Sequence, residues 1–99
     1  MEDQIKAAQK RDLGIQKIKE NIARGDAKCF SVDENGVVYF GSRLVVPRKG
    51  KLKDLILREA HESPLSTHPG GTKMYRDLHQ RFWWTRMKRE IAKFAGYLA

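Results

Sequence analysis

Two histidines in the second half of the chain have a spacing that could serve a metal site. His61 lies at the end of a predicted helix, and His68 lies seven positions later in the loop that follows. Imidazoles placed in this way can converge on one ion, but structural zinc sites almost always have four ligands. The 99 residues contain no Cys-x-x-Cys motif. Taken alone, the pair is more typical of surface or helix-capping histidines than of zinc ligands.

Cys29 is the only cysteine, and it offers a substitute third ligand. Its position before a predicted hairpin instead favours a simple small thiol. A single cysteine forms no internal disulfide, which indicates a reducing compartment. Because the N-terminus has no signal or transit character and no apolar run reaches membrane-spanning length, we expect a nuclear or cytoplasmic protein without a membrane partner.

Residue patterns typical of catalytic sites are missing from the sequence. There is no Ser/His/Asp or Cys/His arrangement and no phosphate-binding loop. His79 is most simply a helix-surface residue. The sequence therefore predicts a small binding module and not an enzyme.

The net charge of +8 is concentrated in the second half of the chain. Residues 1–47 contain eight basic and seven acidic side chains, whereas residues 48–99 contain twelve and five. A concentrated positive field attracts polyanions and releases their counterions, which favours nucleic acid or an acidic protein surface as the partner. A well-solvated surface that keeps a small protein soluble is an equally favoured alternative.

Eight basic side chains of the second half are candidate phosphate contacts. Several fall on adjacent predicted helices and could form one basic face, but no spacing among them indicates base recognition. We therefore expect non-specific contacts from Lys51, Lys53, Lys73, Arg76, Arg81, Arg86, Lys88 and Arg89.

The spacing of apolar residues predicts a helix and then a small sheet within residues 12–50. Three isoleucines lie on one helical face, between Asp12 as N-cap and Gly25 as terminator. Short β-branched and aromatic runs follow at residues 30–32, 37–40 and 43–46, separated by turn residues. Residues 1–11 are either a separate short helix or a loose arm.

Three helices are predicted in the remainder of the chain, residues 51–99. The first begins at Leu52 and ends near residues 63–64, and a loop covers residues 62–71. Thr72 is the predicted cap of a helix that carries Met74, Leu78 and Phe82, and Thr85 is the predicted cap of the last helix. The chain is thus expected to be one α+β domain: an N-terminal helix, a small antiparallel three-stranded hairpin sheet and a three-helix unit.

The aromatic cluster at residues 82–84 is large for so small a protein. At least two of its rings should be core, because each buries about 150–250 Å². The core position is favoured for Trp84. Trp83 is a candidate interface residue, together with the apolar C-terminal pair Tyr97 and Leu98.

Ordered motifs over most of the chain closely resemble the zinc-binding N-terminal domain of gypsy-type retrotransposon integrases, especially those of plants. The resemblance covers roughly residues 12–95. Its motifs are residues 61–70, 73–75, 81–84 and 87–88, with further similarity at residues 36–40, 43–47 and 52–60.

The resemblance implies a zinc site built from two histidines and a Cys-x-x-Cys motif just beyond the last helix. His61 and His68 are the positions that match the two histidines. Where the first cysteine is expected, near Leu98, residues 96–99 read Gly-Tyr-Leu-Ala. The site is therefore incomplete, and we expect no zinc unless ligands come from outside these residues.

In the family the integration chemistry resides in a separate acidic core domain. The resemblance thus implies a non-catalytic integrase-derived domain that aids self-association, as a homo-oligomer, and binds nucleic acid non-specifically. The alternative is a co-opted stand-alone protein–protein interaction module that binds and blocks or redirects a host protein.

Overall fold

The protein is described by a computed structural model that covers residues 1–62 and 71–98, with the side chains of all of these except 71, 72, 97 and 98. No helix in these two ranges is both long enough and apolar enough to cross a membrane. The helices are α1 (Glu2–Gln9), α2 (Leu13–Ala23), α3 (Leu52–His61), α4 (Gly71–His79) and α5 (Met87–Leu98). The strands are β1 (Phe30–Val32), β2 (Val38–Phe40), β3 (Arg43–Val45) and β4 (Phe82–Trp83).

The four strands form one sheet in the order β1-β2-β3-β4. The first three are an antiparallel meander, as predicted, but β4 pairs with β3 in parallel. The amide of Leu44 donates to the carbonyl of Arg81, and the amide of Val46 donates to the carbonyl of Trp83, each at 2.9 Å. The α+β class is confirmed, and the predicted three-stranded antiparallel sheet is corrected to a four-stranded mixed one.

The aromatic cluster of β4 divides between the two faces of the sheet, because side chains of an extended segment alternate in direction. Phe82 and Trp84 are buried in the larger core, which α1, α3, α4 and α5 cover. Trp83 faces the opposite side and packs with the smaller core beneath α2, around Ile15 and Val38. The predicted core position of Trp84, which is 1% exposed, is confirmed.

Residues 1–11 form a docked helix, which is the first of the two predicted alternatives. Ile5 on α1 is fully buried in the larger core. Gln9 is 1% exposed, and its Nε2 donates to the carbonyls of Val38 at 3.1 Å and Val45 at 2.7 Å. Its Oε1 accepts from the amide of Val38 at 2.8 Å. The Gln9 amide therefore bridges β2 and β3 where their paired register ends.

Asp12 begins α2 as predicted, because its Oδ2 accepts from the amide of Ile15 at 2.9 Å. Gly14 sits beside this cap, and a Cβ there would lie 3.0 Å from the Asp12 Oδ2. Any larger residue would press on the capping carboxylate, so glycine suits the first turn. Gly25, at a φ of 79°, follows the end of the helix, as glycine commonly does.

Several predicted helix boundaries in the second half are wrong. The helix α4 begins at Gly71, so the predicted cap Thr72 lies inside it, and it ends at His79, which leaves Phe82 in β4. The helix α5 begins at Met87 and not after Thr85, because Arg86 adopts a φ of 66° and its carbonyl accepts the amide of Glu90. Most of the predicted loop at residues 62–71 lies outside the described residues.

The half-buried side chain of Arg43 on β3 stabilises the position of β4 through a hydrogen bond to its backbone. Its Nε donates to the carbonyl of Phe82 at 3.0 Å, and its Nη2 lies 3.5 Å from the Sδ of Met87. Burial lowers the pKa of Arg43 from its usual value, while Tyr75 acts in the opposite direction. Arginine remains protonated despite such a shift, so the side chain acts as a charged clamp.

We expect Gln9→Ala to lower the free energy of unfolding by about 3 kcal/mol, because it removes all three hydrogen bonds that the buried amide makes with β2 and β3. Urea unfolding followed by circular dichroism measures the change. Gln4→Ala is the matched control, since Gln4 is an exposed glutamine on the same helix and should change stability by less than about 0.5 kcal/mol. Equal effects of the two substitutions would contradict the bridging role of Gln9.

Candidate functional site

His61 is the last residue of α3, and it is buried, at 7% exposure. Its ring packs edge-on against Phe94 of α5, with centroids 5.9 Å apart and an interplanar angle of 80°. The end of α3 is therefore held against the second half of α5. His68 lies outside the described residues.

The donor set of the described residues does not fit a zinc ion. No group of three or more His, Cys, Asp or Glu side chains comes together within residues 1–62 and 71–98. Cys29 is exposed and adopts a φ of 74° beside the turn between β2 and β3, where its carbonyl accepts the amide of Gly41 at 2.7 Å. This position gives no support to Cys29 as a third zinc ligand.

Three of the predicted phosphate contacts are engaged with acidic side chains. Lys53 Nζ lies 2.9 Å from Glu90 Oε1, and the side chain of Lys53 is only 16% exposed. Lys73 Nζ lies 3.0 Å from Asp77 Oδ2, one helical turn away on α4. Arg81 lies 3.3 Å from an oxygen of Glu2 and also covers the ring of Phe82, at 4.8 Å from its centroid. The pair of Lys53 and Glu90 joins α3 to α5, so its role is structural.

Three of the predicted phosphate contacts lie at the start of α5 and have no acidic partner among the described residues. Arg86, Lys88 and Arg89 are exposed and, with Ala92, line a shallow depression of about 470 Å³. Lys88 Nζ lies 5.9 Å from the ring centroid of Tyr75 on α4, a loose cation–π distance. Lys51 and Arg76 are also exposed, on the loop before α3 and on α4.

Lys93 extends this basic surface, although it is not among the predicted contacts. It is exposed on α5 and lies four residues after Arg89, which itself lies three after Arg86. Side chains at these spacings are neighbours on one helical face. The same spacing was available in the sequence and could have identified Lys93. We call Arg86, Lys88, Arg89 and Lys93 the α5 basic surface.

The predicted interface residues have different positions. Trp83 is half-buried, and its ring stacks on Phe40 with centroids 4.7 Å apart and an angle of 15°. The ring of Phe30 meets it edge-on at 5.2 Å. One face of the indole is therefore covered within the chain. The side chains of Tyr97 and Leu98 lie outside the described part of the structure.

Comparison with known families identifies the helical unit that contains His61. Residues 48–96 match the integrase zinc binding domain. The resemblance drawn from the sequence is thereby confirmed over this range. The integrase zinc binding domain match contains α3, α4, β4 and nearly all of α5, whereas β1, β2 and β3 precede it. The further resemblance back to residue 12, and to the gypsy-type plant elements in particular, stays a prediction.

No curated protein and no solved structure matches the chain. The matched family binds zinc, but the described residues bring together no group of three potential ligands. The α5 basic surface therefore gives a firmer basis for a functional proposal than the metal site does.

We expect the purified 99-residue chain to contain far less than one zinc ion per molecule, because two histidines without a cysteine pair bind zinc weakly. Metal analysis by mass spectrometry measures the content, with Cys29→Ser and His79→Ala as control variants. A chelator should leave the unfolding transition unchanged. Stoichiometric zinc that disappears in His61→Ala but persists in His79→Ala would contradict this expectation.

Proposed function

We propose that the chain is a non-catalytic, integrase-derived module that binds nucleic acid without sequence preference and self-associates. The match of residues 48–96 to the integrase zinc binding domain supports the integrase origin. The sequence has none of the residue patterns of a catalytic site, which supports a binding role. The observation that carries the nucleic-acid part is the α5 basic surface.

The four cations of the α5 basic surface, from Arg86 just before the helix to Lys93 within it, repel one another, and an anion relieves that repulsion. The acidic residue of the first turn of α5, Glu90, does not neutralise them, because its Oε1 is 2.9 Å from Lys53. The side chains are exposed, so they can meet phosphate oxygens without a large desolvation cost. Each phosphate so neutralised releases counterions, which is the main source of non-specific affinity.

The backbone at the start of α5 adds to this anion preference. Within the described chain, the amides of Lys88 and Arg89 have no backbone acceptor, whereas the amides of Met87 and Glu90 donate to Trp84 and Arg86. Free amides at a helix N-terminus, together with the helix dipole, favour a bound phosphate. The α5 basic surface thus combines side-chain charge with two backbone donors.

The composition of α5 suits phosphate contacts and offers no side chain that pairs with adenine edges. The helix contains no Asn or Gln, the side chains that pair with adenine edges. Its cations are long and flexible, which suits phosphate contacts that position a protein on nucleic acid without reading its sequence.

Self-association is the part of the proposal that rests on the family resemblance. Leu55 on α3 is 41% exposed and adds apolar surface outside the two cores.

Sedimentation equilibrium of the purified chain should give a mass above the monomer's 11.4 kDa that rises with concentration. A constant monomer mass up to high concentration would remove self-association from the proposal.

Protein binding is the second candidate function, and one observation favours it. Leu13 is 75% exposed at the start of α2, beside an apolar groove. An exposed leucine next to a concave apolar surface is typical of a docking site for another chain. In that case the domain would act by binding and blocking or redirecting a host protein.

We expect the affinity for duplex DNA to fall steeply as the salt concentration rises. The double variant Arg89→Gln with Lys93→Gln should reduce the slope of log affinity against log salt by about 1.8, because each lost phosphate contact lowers it by about 0.9. Fluorescence anisotropy with a labelled duplex of unrelated sequence measures both quantities. The matched control is Arg24→Gln with Lys28→Gln, which removes the same two charges from exposed positions outside α5.

The two double variants have the same net charge, so a difference between them reports position and not total charge. The control should retain the wild-type slope. Absence of binding at low salt, or an equal loss in both variants, would contradict the assignment of binding to α5.

A further inference from the structure

An apolar groove lies between the start of α2 and the ends of β3 and β4. Its floor is formed by the side chains of Ile18 and Trp83 with the buried Pro47, and its volume is about 510 Å³. A second depression of about 600 Å³ adjoins it along α1 and shares its lining at Asp12, Leu13, Pro47 and Lys49. The two form one elongated groove, with Leu13 between them.

Leu13 is the most exposed large hydrophobic side chain among the described residues, at 75%, and its burial by a partner would be favourable. It occupies the first helical position of α2, where no core contact requires a leucine. It belongs to neither of the two cores that the described residues form.

The charged residues along the groove are basic with one exception. Arg11, Arg48 and Lys49 are exposed at its rim, and none of them has an acidic partner within the described residues. The exception is Asp12, whose carboxylate is engaged as the cap of α2. The groove therefore offers an apolar floor beneath a positive rim.

We propose that this groove binds a short acidic amphipathic segment of another protein. A large aliphatic side chain of that segment packs against Leu13, Ile18 and Trp83, and carboxylates on either side of it meet Arg48, Lys49 and Arg11. The groove shares no lining residue with the α5 basic surface, although Thr85 at its edge directly precedes Arg86, and it gives the protein-binding alternative a surface and a partner chemistry.

The aliphatic floor favours a peptide over nucleic acid. Bases bind by stacking on aromatic faces, but one face of the Trp83 ring is already covered by Phe40 at 4.7 Å. Leu13, Ile18 and Pro47 offer a polynucleotide no comparable contact, whereas they suit an aliphatic anchor.

A second copy of the chain fits the groove less well. The acidic turn between β1 and β2 lies next to Val32, which is 38% exposed, and would be its best candidate segment. The Oδ1 of Asp33 in that turn already accepts the amides of Asn35 and Val37, each at 2.9 Å. These bonds hold the Asp33 carboxylate in its own turn and leave Glu34 as the freer of the two, so a separate segment with several carboxylates is the better complement.

The test uses a fluorescein-labelled synthetic peptide of about twelve residues, with leucines at helical spacing and glutamates elsewhere. Fluorescence anisotropy should show saturable binding to the 99-residue chain. Leu13→Gln should weaken it by about tenfold, and Lys49→Glu by a similar factor. The same peptide with serines in place of leucines should not bind.

Each variant has a matched control at an exposed position outside the groove. Leu55→Gln makes the same change on α3, and Lys28→Glu reverses the same charge before β1. Both controls should bind the peptide as the wild type does. Thermal unfolding shows that each variant is folded before it is compared.

The emission of Trp83 provides a second measurement in the Trp84→Phe variant, where it is the only tryptophan. Peptide binding should shift this emission to shorter wavelength, because the peptide excludes water from the exposed part of the ring. An unchanged spectrum on saturation would place the peptide elsewhere and overturn the proposal.

Further results distinguish a peptide in the groove from nucleic acid or a second copy of the chain. The proposal would be overturned if an equimolar single-stranded oligonucleotide displaced the peptide, or if the Arg89→Gln, Lys93→Gln variant no longer bound it. Either result would assign the peptide to the nucleic-acid contacts of α5. Self-association in sedimentation equilibrium that is lost in both Leu13→Gln and Glu34→Gln would assign the groove to a second copy and overturn the proposal. DNA binding that persists in Leu13→Gln keeps this inference distinct from the proposed function.

Discussion

The parallel pairing of β3 with β4 is the constraint on which the rest of the structure depends. Two backbone hydrogen bonds, from Leu44 to Arg81 and from Val46 to Trp83, join the hairpin to the segment between α4 and α5. Because β4 lies inside residues 48–96 and β3 outside them, the integrase zinc binding domain match and the N-terminal half share one sheet. The helical unit therefore depends on the hairpin for its packing, with Gln9 bridging β2 and β3.

This arrangement also distributes the charges of the second half. Lys53, Lys73 and Arg81 lie next to carboxylates and contribute little to an external positive field. The cations at the start of α5 have no such partner in the described ranges, and neither have Arg48 and Lys49, which follow β3 and lie at the groove rim. The net charge thus divides between two positive surfaces, one on α5 and one along the rim of the apolar groove.

Local patterns in the sequence predict the parts of this fold that local chemistry determines. The cap at Asp12 and the three antiparallel strands follow from residue types within a few positions of one another. The strand β4 could not be predicted in this way, since its two residues acquire an extended conformation only by pairing with β3, about forty positions earlier. Phe82 continued the helical spacing of Met74 and Leu78, yet it belongs to the sheet. The engagement of Lys53 by Glu90 likewise depends on the packing of α3 against α5.

Nucleic-acid binding at α5 is tested most directly by titrating the ¹⁵N-labelled chain with a short DNA duplex and following the amide chemical shift of each residue. With the duplex bound at the α5 basic surface, the largest changes should fall at residues 86–93, and the amides of β1 and β2 should stay nearly constant. The amides of Lys88 and Arg89, which have no backbone acceptor in the described structure, should move the most. Changes centred on Lys53 and Lys73, or spread evenly over the chain, would contradict the assignment of nucleic-acid binding to the start of α5.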